Sequence, residues 1–112
     1  MNQDEIKTQF QEFQNLQGQL QMMSMQVQQL TMQDNETQKA MDEVEKSAGP
    51  FYRNVSNILV QKDKETLKKE LEEEKETITL RLTTFKKQEE KLKTRFDELR
   101  KKLEEMAKQM KA

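Results

Sequence analysis

Apolar residues return at spacings of three and four along the first 46 positions: Ile6, Phe13, Leu16, Leu20, Met23, Val27, Leu30, Met41 and Val44. That rhythm belongs to a helix burying one stripe. With Ile6 at heptad position a, the a series runs Ile6, Phe13, Leu20, Val27, Asp34, Met41, and the d series Gln9, Leu16, Met23, Leu30, Thr37, Val44. Among the polar residues on this seam, Asp34 and Thr37 fall together and mark a weak point or a register device. The pattern predicts a coiled-coil helix over 3–46. Glutamines crowd its remaining positions, as in Gln26-Val27-Gln28-Gln29. Beside apolar residues in strict register they read as a solvated face and not as a prion-like tract. Gly18 lies off the seam and costs the helix about 1 kcal/mol relative to alanine.

A second arm, predicted over 64–111, is more regular. Leu71, Ile78, Phe85, Leu92, Leu99 and Met106 follow at every seventh position, beside a row of Leu82, Phe96, Leu103 and Met110 interrupted by Lys75 and Glu89. Outside the seam, Glu65 and Lys69, Glu89 and Lys93, Asp97 and Lys101, Glu98 and Lys102, and Glu104 and Lys108 form i,i+4 pairs. Each stabilises a helix by about 0.2–0.5 kcal/mol. At a rise of about 1.5 Å per residue each arm extends roughly 65–75 Å. The arms are nearly equal and joined by a short connector, so they fold back as an antiparallel pair with both termini at one end.

The connector, 49–62, breaks both patterns. Gly49-Pro50 interrupts a helix, because proline lacks the amide donor and clashes with the preceding turn. Phe51-Tyr52-Arg53-Asn54-Val55 and Ile58-Leu59-Val60-Gln61 read as strands, and Ser56-Asn57 as their turn, with Asn57 able to enter the left-handed region. Phe51, Arg53 and Val55 would point one way, Tyr52 and Asn54 the other. A tight interhelical loop capping the coiled coil is the competing reading, but the segment is longer and richer in β-formers than such a loop requires. One hairpin is marginal alone, and both its edges stay unpaired. Strands from neighbouring subunits would satisfy it, through Phe51, Tyr52, Val55, Ile58, Leu59 and Val60.

Composition narrows the function classes. Of the 112 residues 32% are hydrophobic and 37% charged, with a mean hydropathy of −1.14. Such a chain cannot enclose a globular core, and its periodicity argues against disorder. Residues 1–46 carry three bases against eight acids, and residues 62–112 sixteen bases against thirteen acids. The two arms thus attract weakly, while the net charge of −1 leaves no field for nucleic acid. With no cysteine or histidine, disulfides, thiolate metal sites and the commonest general base are excluded. Runs such as Glu72-Glu73-Glu74 are solvated helix faces, and two glycines make no phosphate loop. No enzyme activity, cofactor or metal is expected. The absence of a signal-peptide pattern and of a long apolar run predicts a soluble, cytoplasmic protein. The narrow apolar stripe with both signs of charge beside it argues against membrane-surface binding.

Where an antiparallel pair ends, its last heptads fray and expose seam residues. The end carrying the termini combines Ile6, Phe10 and Phe13 with Phe96, Leu99, Leu103, Met106 and Met110. Phe10 lies beside the seam and widens the apolar face. Methionine adapts to partners of varied shape, and weak sites on several arms hold one unfolded chain by multivalency. Ordinary coiled-coil core is the competing role for each residue, most of all for Phe13, Phe96 and Leu99. Met22, Met23, Met25 and Met32 read as packing or solvated positions.

Two heptad arms around Tyr52-Arg53-Asn54-Val55-Ser56-Asn57-Ile58-Leu59-Val60-Gln61 resemble a β-type subunit of prefoldin, the hexameric co-chaperone. The resemblance covers essentially the whole chain, 1–112, as a single unit. It departs at Ser56, where the family usually has glycine. The Tyr-Arg-x-Val form is similar both to archaeal β subunits and to subunit 2 of the eukaryotic complex. The resemblance implies two α-type and four β-type subunits, hairpins joined in a double β-barrel, and paired helices hanging as tentacles. It further implies that their ends grip non-native polypeptides and deliver them to a group II chaperonin without ATP. The expected fold is mainly α, a long antiparallel two-helix coiled coil joined by a single short β-hairpin. The alternative function is a passive structural coiled-coil spacer or scaffold.

Overall fold

The computed structural model describes residues 3–111, and of Lys111 the backbone alone. The expected unit 1–112 also takes in Met1, Asn2 and Ala112, which lie outside the described residues. Four elements follow in order: α1 (Gln3–Lys46), β1 (Phe51–Val55), β2 (Ile58–Lys62) and α2 (Lys64–Lys111). The fold is mainly α, two long helices joined by one antiparallel hairpin, as the periodicity predicts. Every a and d position of α1 from Ile6 to Val44 is at least half-buried, as is the seam of α2 from Leu71 to Met106. The chain divides into two compact units, Gln29–Thr83 and the pairing of Met1–Gln28 with Thr84–Ala112.

In Gln29–Thr83, Val44, Leu67 and Leu71 form a core against which Ala40, Met41 and Phe51 pack. Asp34 meets Lys75 while Glu45 meets Lys68, both at 2.8 Å, so partners on α2 fall in number as those on α1 rise. The helices of this unit are therefore antiparallel. The polar interruptions of the two seams answer one another. Asp34 Oδ1 accepts from Lys75 Nζ at 2.8 Å and from Thr79 Oγ1 at 3.4 Å. Thr37 satisfies its hydroxyl locally, donating to the Gln33 carbonyl at 2.8 Å.

Polar contacts also organise the junctions of the helices with the connector. Ser47 N–H donates to the Glu43 carbonyl at 3.1 Å, and Ser47 Oγ accepts from Gly49 N–H at 3.2 Å. Gly49 has φ 94°, and a Cβ there would lie 3.2 Å from the Phe51 ring, so glycine permits both the turn and the close approach of Phe51. The Gly49–Pro50 peptide is cis. At the start of α2, Asp63 Oδ1 accepts from Thr66 N–H at 2.7 Å as an N-cap. That backbone bond holds the Asp63 carboxyl below its ordinary value of 3.8. Lys64 Nζ donates to the Glu45 carbonyl at 3.1 Å, satisfying an orphan acceptor in the last turn of α1. Glu45 is held below its ordinary 4.5, first by the hydrogen bond from Lys68 and then by its charge.

The other unit is held by Phe13 stacked on Phe96, ring centroids 4.6 Å apart and planes 20° apart. Beside them Arg95 Nη2 donates to Glu12 Oε1 at 2.7 Å. Leu16 and Val27 are its buried aliphatic residues. At the d position Gln9, Oε1 is buried with no donor among the described residues, so this layer adds little cohesion.

Three outcomes follow from this packing. A Cβ at Gly18 meets nothing within 4 Å, so Gly18→Ala should raise stability by about 0.5–1 kcal/mol in thermal or urea unfolding. Removing the seam carboxylate in Asp34→Ala leaves Lys75 half-buried without its partner and should destabilise by about 1–2 kcal/mol. The exchanged pair Asp34→Lys with Lys75→Asp should recover most of that loss. Glu45 and Asp63 have lowered pKa values in the fold, so their stabilisation is complete above their ordinary 4.5 and 3.8 and disappears as pH falls through the depressed values. Thermal midpoints measured down that range should fall, and Glu45→Gln should flatten the fall; an unaltered slope would deny Glu45 a part in it.

Candidate functional sites on the hairpin and at the helix ends

The hairpin pairs Phe51 with Lys62, Tyr52 with Gln61, Arg53 with Val60, Asn54 with Leu59 and Val55 with Ile58. Ser56 and Asn57 have φ of 48° and 67°, the two left-handed residues of a type I′ turn, whose twist suits the strands. The sequence assigns this freedom to Asn57; Ser56 shares it, at a cost of about 1 kcal/mol for a residue with a side chain.

Strand alternation divides the hairpin into two faces. On one lie Phe51, Arg53, Val55, Ile58, Val60 and Lys62. Phe51 packs on the Val44, Leu67 and Leu71 core, so this expected assembly residue is an internal anchor within the chain. Arg53 Nη1 donates to Glu70 Oε2 at 3.1 Å, and Arg53 Nη2 donates to Glu74 Oε1. Lys62 Nζ donates to the other Glu70 oxygen, Oε1, at 2.8 Å. Glu70 therefore receives both cations, and the Lys62 hydrogen bond, with Arg53 behind it, holds its carboxyl below the ordinary 4.5. Beyond Arg53 the inward face is uncovered: Val55 and Ile58 are exposed, and Val55 borders an open cleft of about 490 Å³ lined in part by Glu73, Thr77 and Ile78.

Tyr52, Asn54, Leu59 and Gln61 form the outward face, all exposed. Leu59 is 72% and Ile58 65% exposed, values that mark apolar side chains with almost no cover in this chain. Val60 is the least exposed of the five remaining expected assembly residues. The ionic fastening of the hairpin to α2 is absent from the sequence reading. Its signal was available in Glu70 and Glu74, one turn apart, and in Arg53 on the same strand face as Phe51.

At the helix ends the eight expected client residues separate. Phe13 and Phe96 face each other in the stack, and Ile6, Leu99, Leu103 and Met106 are half-buried. Phe10 and Met110 are exposed, at 52% and 70%. They meet Ile6 in an open groove of about 420 Å³ whose rim carries Gln3, Gln11, Gln14 and one charge, Lys7. Among the described residues this arrangement offers apolar contact with a margin of hydrogen-bonding glutamines and the Lys7 cation. Met22, Met25 and Met32 are exposed and Met23 half-buried. No helix among the described residues is long and apolar enough to cross a membrane.

Residues 7–110 match the family model described as prefoldin subunit. The prefoldin subunit beta of Archaeoglobus fulgidus is 39% identical over 97 residues, covering 85% of this chain and 84% of the relative. That of Sulfurisphaera tokodaii is 36% identical over 104 residues, covering 91% of this chain and 83% of the relative. The crystal structure of the prefoldin beta subunit from Thermococcus strain KS-1 is similar with a TM-score of 0.82 at 28% identity, covering 91% of each chain. Two helices around a single two-stranded hairpin, matched along nearly their full length to β subunits in sequence and structure, place this chain in the prefoldin family as a subunit of the β type.

Proposed function

We propose that the chain is one subunit of a hexameric, ATP-independent holdase of the cytoplasm, built with α-type and other β-type prefoldin subunits. Prefoldin subunits are non-enzymatic chaperone components that assemble with other prefoldin subunits. The hairpin is the assembly element. Non-native polypeptides are held at the helix ends and passed to a group II chaperonin.

The observation that carries the reading is the uncovered hairpin. Tyr52, Val55, Ile58, Leu59 and Val60 are exposed together on a two-stranded sheet. Burying such residues contributes roughly 25 cal/mol per Å² of apolar area, and the unpaired strand edges gain hydrogen-bond partners in the same step. The groove of Ile6, Phe10 and Met110 supports the holding role. It presents adaptable apolar side chains with one nearby charge, suited to exposed apolar surface of many sequences.

Two variants separate this reading from a passive spacer. Ile58→Asp with Val60→Asp should abolish the assembly formed with an α-type subunit, seen by native mass spectrometry, while helical circular dichroism persists. Deleting residues 1–12 and 104–112 should preserve assembly but remove most suppression of aggregation of a denatured client. Full suppression after that deletion rules out holding at the helix ends, and an unchanged oligomer in the hairpin variant favours the spacer.

A further inference from the structure

We propose that Arg53 and Lys62 are positioning residues for assembly: by fastening the hairpin to Glu70 and Glu74 they set the pose in which its exposed apolar residues meet a neighbouring subunit. The proposal rests on the reading of the hairpin as the assembly element. It names the part of the chain that orients that element.

The geometry supplies three anchors on one face. Phe51 on β1 and Lys62 on β2 lie opposite each other at the base of the hairpin, one in the apolar core and one on Glu70. Arg53 adds a third point, two residues farther along β1. Two anchors across the strands resist rolling, and one along them resists lifting. Glu70 and Glu74 are one turn apart on α2, so the planar guanidinium that reaches both also aligns β1 with that helix. A lysine ammonium is a single point charge and cannot set the same angle.

The anchors matter because, among the described residues, no other ion pair or side-chain hydrogen bond ties the hairpin's outer half to the helices. Past Arg53, Val55 borders the open cleft, and Ile58 and the turn Ser56-Asn57 are exposed. A two-stranded sheet without such support is marginal in water. Fastening it before association removes an ordering cost from association itself, the effect of preorganisation on affinity. Arg53 and Lys62 are engaged by Glu70 and Glu74 and lie on the face opposite Tyr52 and Leu59, but on the same face as Val55, Ile58 and Val60. Hydrogen exchange on the unmixed chain is therefore what separates an effect through the hairpin's pose from direct contact.

The test uses the full chain titrated with an α-type prefoldin subunit, at a temperature where every variant keeps its helical signal. Arg53→Ala, and separately the double variant Glu70→Gln with Glu74→Gln, should weaken assembly by roughly tenfold or more. Arg53→Lys should recover only part of the loss. Hydrogen exchange on the unmixed chain should show faster exchange for 51–62 and unchanged exchange for 64–83. Wild-type affinity in both the arginine and the glutamate variants overturns the proposal. So does weakened assembly with undiminished hairpin protection, which would make Arg53 a direct contact with the neighbour. Should Arg53→Ala lose its helical signal, the glutamate variant decides. Ile58→Asp with Val60→Asp serves as the reference: normal assembly there refutes the hairpin reading itself, whereas blocked assembly there with normal assembly in the fastening variants refutes the positioning role alone.

Discussion

One line of side chains, recurring every three and four residues, holds every buried position among the described residues. The buried residues among those described are Leu16, Val27, Leu30, Val44, Leu67, Leu71 and Leu82, and none is sealed from solvent. Cohesion is therefore spread along a seam and gathers where Val44, Leu67 and Leu71 pack together. A seam of this kind has an intrinsic ambiguity, because sliding one helix by a heptad still sets many apolar residues against apolar residues. The structure depends on what removes that ambiguity.

Two devices do so within Gln29–Thr83. The first is polar: a slip of seven in one direction would set Asp34 against Leu82 in place of Lys75 and strand a half-buried charge. The second is the hairpin, which joins the helices through a turn of defined twist and is itself tied to α2 by Phe51, Arg53 and Lys62. Register and hairpin pose are consequently one problem. A shifted helix would carry Glu70 and Glu74 away from the strand residues that bind them. The charge difference between the arms favours pairing in general but selects no register, since screened surface charge acts over many arrangements.

What was legible in the sequence follows the same division. The seams were legible because periodicity is a property of one helix, and α1 and α2 carry it with few exceptions. The hairpin was legible from the density of aromatic and β-branched residues between Pro50 and Lys62. Contacts that arise when one element folds onto another had no such signal. Leu67 lies a turn before the regular seam, and Phe51 looked like surface for a partner, yet both belong to the core where the hairpin lands on α2. Asp34 and Lys75 each appeared as a fault in its own helix and became a pair only when the helices were set antiparallel. At the helix ends, spacing correctly put Phe10 beside the seam, but it also put Met110 on it, where the residue is exposed. Spacing states which side of a helix a residue occupies, not how well that side is covered.

The division of the chain also sets how far apart in sequence the contacts of each unit lie. Gln29–Thr83 is one continuous stretch with the hairpin in its middle, so its contacts close short loops. The other unit joins two segments separated by that entire stretch, and bringing them together unaided means closing a much longer loop. Loop closure therefore costs least around the hairpin and most for the pairing that brings Phe13 to Phe96, so the residues around Phe10 and Met110 rest on contacts between the most distant parts of the described sequence.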